Sequence, residues 1–170
     1  GICLVISGSI DLIQARADTL TVNVFDDSYD GTCDATHCSL REAIKNASNT
    51  TIILPAGTFS LTRTGPIEND SLTGDLDIRS PMTITGAGAG LTIIDAQGIP
   101  ERAFHVLYPT GAVNLSNLAI INGSDDYGSG LNCDHANLTL ENVTISQNTS
   151  TSYGGGISSV SCQLKVSSVN

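Results

Sequence analysis

The feature that most constrains the fold is an internal repeat of about 25 to 26 residues in the second half of the chain. Residues 122–131, NGSDDYGSGL, align with residues 148–157, NTSTSYGGGI, at an offset of 26 positions, which matches Tyr127 with Tyr153. Self-similarity at a fixed period is typical of proteins in which each repeat packs only against its neighbours. Offsets of 26 and then 25 positions also superimpose apolar residues, namely Leu164, Val166 and Val169 on Leu138, Leu140 and Val143, and these on Val113, Leu115 and Leu118.

Each repeat contains several short apolar alternations that Gly, Asn, Ser or Asp interrupts. These runs are too short for helices and too frequently broken for strand-helix-strand units, so they predict short strands that coil into stacked rungs. Leucine-rich repeats share the period and remain an alternative, although β-branched residues alternate here in place of a regular leucine spacing. Upstream strands are predicted at TIIL (51–54), TFSL (58–61), DLDI (75–78), MTIT (82–85), LTIID (91–95) and FHVL (104–107).

Two asparagines are expected to mark a corner between strands of neighbouring rungs. Asn117 falls on Asn142 at the offset of 25, and side-chain amides at such a position can hydrogen-bond from one rung to the next. We interpret this pair as a structural ladder, which makes the sequon Asn142-Val143-Thr144 a doubtful glycosylation site.

The chain before residue 50 is predicted to cap the stack, because a stack of strands otherwise exposes unpaired backbone. TLTVNV (19–24) alternates as a strand does. Ser39 followed by Glu42 forms a capping box that opens a short helix over residues 39–47, with an apolar face to cover the first rung.

Residues 1–17 are interpreted as the remnant of a signal peptide. They are largely apolar, and Ala15-Arg16-Ala17 supplies the small-x-small pattern at a cleavage site, so the mature chain is expected to start at Asp18. The alternative is a buried N-terminal strand, against which Asp11 and the lack of alternation argue. Residues 50–170 would then form the rungs, and the natural protein is expected to continue beyond Asn170.

Charge and hydropathy restrict the partners. The formal net charge is −10, from 17 acidic and 7 basic residues, which repels nucleic acid and anionic lipid. No apolar run in the mature part is long enough to cross a bilayer, so we expect no membrane insertion. Extracellular glycan or a surface protein is the expected partner.

Four cysteines follow the presumed cleavage site, an even number that suits an oxidising compartment. Cys33 and Cys38 flank four residues of the cap and are predicted to form a disulfide. The pairing of Cys133 with Cys162 is left open, because the offset of 26 stacks Cys133 on Ser159. Zinc is a weaker alternative, since these cysteines and the histidines lack the short spacings of structural zinc ligands, and no metal site is predicted.

The sequence CDATHCSLREAI (33–44), followed by TIILPAGTFSL, resembles the CSLREA domain found near the N-terminus of secreted bacterial β-helix proteins. The similarity continues through GDLDI (74–78), MTITGAG (82–88) and TIIDAQG (92–98). It implies an all-β fold, a right-handed parallel β-helix of about five rungs with a cap strand and a cap helix, and secretion or display at the cell surface. It implies no catalytic residue.

One cluster could support catalysis. Asp75, Asp77 and Arg79 alternate with Leu76 and Ile78, so all three are expected on the outer face, where two carboxylates and a cation could act as acid and base or simply form a surface ion pair. Asp95 is expected to accept backbone N–H groups at a turn, and Asp125 with Asp126 forms no repeated calcium site because the next repeat has Thr151 and Ser152 there. No cofactor motif is present.

The predicted function is a non-catalytic secreted or cell-surface module for adhesion or for contact with matrix or glycan. Its polar loops, 122–129 and 147–153, are expected on one flank. The alternative is a polysaccharide lyase or glycoside hydrolase of the pectin-lyase-like type with its site on later rungs.

Overall fold

The computed structural model describes residues 18–169 of the chain, which form fourteen β-strands and one α-helix. The predicted signal segment, with Cys3, lies outside the described residues. Helix α1 spans Leu40–Asn46. The strands are β1 (Thr19–Thr21), β2 (Thr50–Ile53), β3 (Gly57–Ser60), β4 (Leu76–Ile78), β5 (Met82–Thr85), β6 (Thr92–Asp95), β7 (Phe104–Leu107), β8 (Ala112–Ile121), β9 (Ser124–Tyr127), β10 (Leu131–Asp134), β11 (Asn137–Ser146), β12 (Thr149–Tyr153), β13 (Ile157–Val160) and β14 (Gln163–Val169).

The strands form three sheets, and every pairing among the described strands is parallel. The largest sheet has eight strands in the order β1-β2-β5-β8-β11-β14, and β6 connects β3 to β8. A four-stranded sheet has the order β13-β10-β7-β4, and β12 pairs with β9 alone. The prediction of an all-β chain is confirmed at the level of parallel sheets.

The strand register follows the sequence repeat. Leu138 pairs with Leu164 on one side and with Val113 on the other, as the offsets of 26 and 25 residues predict. Cys133 pairs with Ser159, and Tyr127 with Tyr153, which also agrees with the predicted alignment. The periodicity of this part of the chain therefore determined the register of its strands.

The sheets bury rows of similar apolar side chains. Ile52, Ile84, Leu115 and Leu140 occupy successive strands of the large sheet in one register, and all four are fully buried. Such stacking of like on like removes apolar area from water at each added strand, at about 25 cal/mol per Å². The alternation along each strand places the intervening polar residues on the opposite face.

The corners between strands repeat as backbone conformations. Asn117 (φ 55°) and Asn142 (φ 50°) are both left-handed, and Nδ2 of Asn142 donates a hydrogen bond to Oδ1 of Asn117 at 2.8 Å, which confirms the predicted ladder. Ser168 has the same conformation, with φ 51°. A second corner recurs at Tyr108 and His135, with φ 46° and 49°. The corner is therefore fixed by position in the repeat, even where the residue is not Asn or Gly.

Glycines at the other turn are required by close approach of neighbouring chains. Gly128 and Gly154 are left-handed, with φ 59° and 66°. A Cβ atom on Gly130 would lie 2.6 Å from the carbonyl oxygen of Gly156, so this position excludes a side chain. The glycines that the repeat aligns thus serve the same turn in successive repeats.

The cap begins with the short strand β1, which pairs with β2 and ends at Thr21, so the predicted strand 19–24 is shorter than expected. Helix α1 has the capping box predicted at its start. Ser39 Oγ accepts the N–H of Glu42 at 3.1 Å, and the Glu42 carboxylate accepts the N–H of Ser39 at 2.9 Å. Ala43 and Ile44 are buried against the core, as the predicted apolar face requires.

A buried arginine connects α1 to the sheets. Arg41 is fully buried, and its Nε and Nη2 donate to the two carboxylate oxygens of Asp27 at 2.6 and 3.0 Å. Its Nη1 and Nη2 also donate to the carbonyls of Asp75 and Gly74, at 3.1 and 2.8 Å. Asp27 Oδ2 further accepts the N–H groups of Thr62 and Arg63. All charges of this pair are therefore hydrogen-bonded inside the protein.

Both cysteine pairs form disulfides. Cys33 and Cys38 are joined as predicted, with their Cα atoms 4.2 Å apart. Cys133 and Cys162 are also joined, at a Cα separation of 5.9 Å. Cys133 does stack on Ser159, yet the chain turns after β13 and returns residue 162 to within reach of Cys133. No helix within residues 18–169 has the length and apolar character needed to cross a membrane.

Candidate functional sites

The candidate catalytic cluster of the sequence is placed differently in the structure. Leu76 and Ile78 enter the core as predicted, but Asp75 and Asp77 are also buried, each 4% exposed, and do not lie on an open surface. Arg79 is exposed and its nearest carboxylate is Asp70, at 3.6 Å. The prediction of an outer ion pair of these three residues is therefore wrong.

The burial of Asp77 comes from the segment between β3 and β4, whose residues 61–75 form neither helix nor strand. Ser71 in this segment donates its N–H to Asp77 Oδ2 at 3.0 Å, and its hydroxyl donates to the Asp77 carbonyl. The Asp77 N–H in turn donates to Ser71 Oγ at 2.6 Å. The segment thus covers the outer face of β4, which strand alternation alone leaves open.

Three polar residues form a row across neighbouring strands of the four-stranded sheet. Asp77 of β4 pairs with His105 of β7, which pairs with Asn132 of β10. Nδ1 of His105 lies 3.4 Å from Oδ1 of Asp77. Among residues 18–169, no hydrogen-bond partner is present for three buried atoms of this row, namely Asp77 Oδ1, His105 Nε2 and Asn132 Oδ1. His105 therefore lies within strand β7, directly beside Asp77.

Asp75 lies at the side of this row and has a different partner. Its Oδ2 is 3.3 Å from Nε of Arg102, whose Nη2 also contacts Asp125 Oδ2 at 2.8 Å. Burial and the neighbouring Asp77 carboxylate raise the pKa of Asp75 to about 8, although Arg102 opposes the shift. The site combines several carboxylates with a single guanidinium, in surroundings that disfavour charge.

Asp30, His37 and Glu42 form a second cluster, located in the cap. His37 Nδ1 lies 3.1 Å from Glu42 Oε2. The Glu42 carboxylate already accepts the N–H groups of Asp30 and Ser39, and Asp30 Oδ1 accepts the N–H and hydroxyl of Thr32. The two carboxylates of this cluster are therefore hydrogen-bonded parts of the capping box and its loop, whereas His37 Nδ1 has no hydrogen-bond partner among residues 18–169.

The outer surface carries a pair of exposed tyrosines. The rings of Tyr127 and Tyr153 stack with centroids 6.0 Å apart and planes inclined by 24°, and the side chains are 49% and 74% exposed. They lie on β9 and β12, so the segments 122–129 and 147–153 contain paired strands and are not the loops that we predicted. The polar side chains of these segments favour a loop, but backbone pairing between repeats overrides that preference.

A cleft of about 360 Å³ adjoins β9 and has a polar lining. Arg102 and Asp125 form its charged wall, and Thr151 donates its hydroxyl to Asp126 across the two strands. Asp125 therefore already contacts Arg102, and Asp126 already contacts Thr151. The lining residues are Ile67, Pro100, Glu101, Arg102, Ser124, Asp125, Asp126 and Thr151.

Asp95 has the structural role predicted for it. Its Oδ1 accepts the N–H of Gln97 at 3.0 Å and the side-chain amide of Asn122 at 2.9 Å.

The sequence did not reveal the roles of Arg41, Asp27 and Arg102, since each acts through partners distant in the sequence. Alignment of FHV (104–106) with LDI (76–78) as neighbouring strands would have placed His105 beside Asp77.

Comparisons with protein-family models, with curated proteins and with solved structures find no match to this chain.

Proposed function

We infer that the chain is a non-catalytic module of a secreted or cell-surface protein and that its outer surface binds neutral extracellular glycan. The observation that carries this proposal is the exposed, in-register pair of Tyr127 and Tyr153. Single exposed aromatic residues are common, but two that stack across neighbouring strands form a continuous apolar platform with polar edges.

The architecture that we propose is a right-handed parallel β-helix with the CSLREA cap. Three parallel sheets, each drawing strands from successive repeats, support it. Parallel strands in one sheet are almost always connected with a right-handed crossover, which favours that hand. Residues 50–169 would make four complete rungs and begin a fifth, and the rung stack would present the tyrosines along one flank.

Export is supported by the two disulfides. Such bonds persist in oxidising compartments and are rare in reducing ones. Cys33–Cys38 closes a loop of the cap, and Cys133–Cys162 connects β10 to the turn before β14. Both would stay intact in a protein that works outside the cell.

A sugar ring matches this surface chemically. The C–H groups of a pyranose carry partial positive charge and pack on the negatively polarised face of a tyrosine ring. Polar side chains such as Ser124 lie on the same two strands as the tyrosines and can bond to sugar hydroxyls. The net charge of −10 opposes acidic polysaccharides, so the glycan is proposed to be neutral.

The non-catalytic assignment rests on the burial of the carboxylates. The side chain of Asp77 is fully buried and that of Asp75 is 5% exposed, so a polymeric substrate does not reach them in this conformation. Lysis or hydrolysis needs an acid and a base beside an open groove. The alternative of a lyase or hydrolase becomes an outcome of the test below.

The test is affinity electrophoresis of the purified chain through gels that contain a neutral polysaccharide such as galactomannan, xyloglucan or mixed-linkage glucan. We expect retardation in at least one neutral gel and none in pectin or alginate. The Tyr153→Ala change should weaken binding roughly tenfold or more, because aromatic anchors at interfaces contribute about 1–2 kcal/mol or more.

Tyr108→Ala is the matched control. Tyr108 is 57% exposed and stacks on His135 at 4.7 Å, but it lies at a corner outside β9 and β12. Equal loss of binding in the two variants, or no retardation in any neutral gel, would contradict the proposal. Release of reducing ends or unsaturated products that Asp77→Asn abolishes would establish the enzymatic alternative.

A further inference from the structure

The row on the four-stranded sheet leaves polar atoms without partners where proteins normally satisfy them. Asp77 Oδ1 belongs to a side chain that is fully buried, and it has no hydrogen-bond partner among residues 18–169. Buried carboxylate atoms are almost always hydrogen-bonded or bound to an ion. This oxygen faces Nδ1 of His105 on the paired strand, which indicates a bound group between these two atoms.

The distance between the two side chains fits shared coordination better than direct bonding. Oδ1 of Asp77 and Nδ1 of His105 are 3.4 Å apart, beyond the usual range of about 2.7–3.2 Å for an N–H···O hydrogen bond. Two ligands at about 2.0–2.1 Å from one tetrahedral zinc ion lie roughly 3.3 Å apart. Asp75 completes the set, because ligand atoms of all three residues lie within 4.8 Å of one another.

The surroundings hold the ligands in place. Ser71 binds Oδ2 of Asp77 and thereby leaves Oδ1 as a single free ligand atom, which is the role of outer-shell hydrogen bonds in metal sites. Asp75 and Asp125 both contact the one guanidinium of Arg102, and the Asp77 carboxylate repels that of Asp75, so a cation bound here would relieve the repulsion between the carboxylates. Arg102 keeps Asp125 as a partner when it yields Asp75 to an ion.

A cleft of about 130 Å³ adjoins Asp77, between the end of α1 and the turn after β4. It is lined by Ile44, Lys45, Asp70, Asp77, Arg79 and Ser80. Lys45 and Arg79 both contact Asp70, whose carboxylate offsets part of their charge.

We propose that Asp75, Asp77 and His105 bind one divalent transition-metal ion of the zinc type. Imidazole selects such ions over calcium and magnesium, which prefer sites made of oxygen ligands alone. His105 is not close to the two aspartates in the sequence, because the pairing of β4 with β7 brings these ligands together. This site does not depend on the proposed glycan function.

The experiment uses the full chain with both disulfides intact, stripped with chelator and then titrated with Zn²⁺ by calorimetry, with Co²⁺ as a spectroscopic probe. We expect about one Zn²⁺ per chain, visible absorption of the Co²⁺ complex and a higher melting temperature with Zn²⁺. His105→Gln and Asp77→Asn should each weaken Zn²⁺ binding at least tenfold, the usual minimum for loss of a metal ligand or its support.

Two histidine controls separate this site from others. His37→Gln removes the histidine of the cap cluster, and His135→Gln removes an exposed histidine that lies 2.5 Å from Asp134. Both variants should bind Zn²⁺ as the wild type does. Loss of binding in His37→Gln with retention in His105→Gln would overturn the proposal, as would the absence of stoichiometric Zn²⁺ binding.

X-ray absorption of the Zn²⁺-loaded wild type gives a result that does not depend on whether a variant folds. We expect only nitrogen and oxygen ligands, near 2.0–2.1 Å, with scattering from a single imidazole. Sulfur ligands, two or more imidazoles, or none would show that the ion lies elsewhere and would overturn the assignment.

Discussion

Replacement of Arg41 by Met should destabilise the fold strongly. The guanidinium makes four hydrogen bonds inside the protein, two to the Asp27 carboxylate and two to the carbonyls of Gly74 and Asp75. Methionine resembles the aliphatic stem of arginine and has a similar helix propensity, so the change removes mainly the guanidinium and its hydrogen bonds. Removal of one partner of a buried ion pair costs about 3–5 kcal/mol, because the other charge stays buried.

The assay is equilibrium unfolding in urea without reductant, with the midpoint and slope measured for each variant. At the size of this chain, about 3–5 kcal/mol corresponds to a melting temperature lower by roughly 6–20 °C. Arg79→Met is the control, because Arg79 is 54% exposed and pairs with Asp70 at 3.6 Å. That change should cost less than about 1 kcal/mol.

A second substitution tests the physical reason. In the Arg41→Met background, Asp27→Asn should recover at least about 1 kcal/mol, since the amide is neutral and its oxygen can still accept the N–H groups of Thr62 and Arg63. In the wild-type background the same Asp27→Asn change should destabilise. If Arg41→Met unfolds with the same midpoint as Arg79→Met, the reasoning about the buried pair is refuted.

Two further predictions concern Asp75 and Ser39. In metal-free buffer, stability should fall as the pH rises from about 4 to about 8, because the folded chain holds a proton on Asp75, with its pKa of about 8, that the unfolded chain releases at its ordinary value of 3.8. The charged groups that face this carboxyl are Asp77, Arg102, Glu101 and Asp125. Asp75→Asn should flatten the dependence of the unfolding midpoint on pH between about 4 and 8. An unchanged slope would disprove the assignment to Asp75. Ser39→Ala should cost about 1–2 kcal/mol by loss of the cap and of its bond to the Ser28 carbonyl, whereas an unaltered urea midpoint would show that the cap contributes nothing.

Much of the fold could be predicted because the sequence repeats. The offsets of 25 and 26 residues fixed which residues of β8, β11 and β14 lie side by side. The capping box and the close pair of Cys33 and Cys38 are local patterns, and local patterns survive without knowledge of tertiary structure. Strand alternation also placed Leu76 and Ile78 in the core correctly.

The candidate sites were harder to predict because their partners meet through irregular parts of the chain. Asp77 is buried because Ser71 folds over β4, and a segment without periodicity gives no sign of its path. The role of Arg41 depends on Asp27, which lies in a loop with no repeat to align it. Cys162 reaches Cys133 because of a turn, which the strand register does not describe.

The repeating corners limit how the length of this molecule can change. A single residue inserted between Leu138 and Leu140 would put these two side chains on opposite faces of β11, so they could not both keep their match to Val113 and Leu115. An insertion of one whole repeat would give every added residue an equivalent neighbour, with the left-handed residues at 117 and 142 marking the joints. Extra residues of arbitrary number fit only where the chain leaves the sheets, as it does between β3 and β4. Within the sheets the chain can therefore lengthen only by whole repeats, whereas outside them it can lengthen by any number of residues.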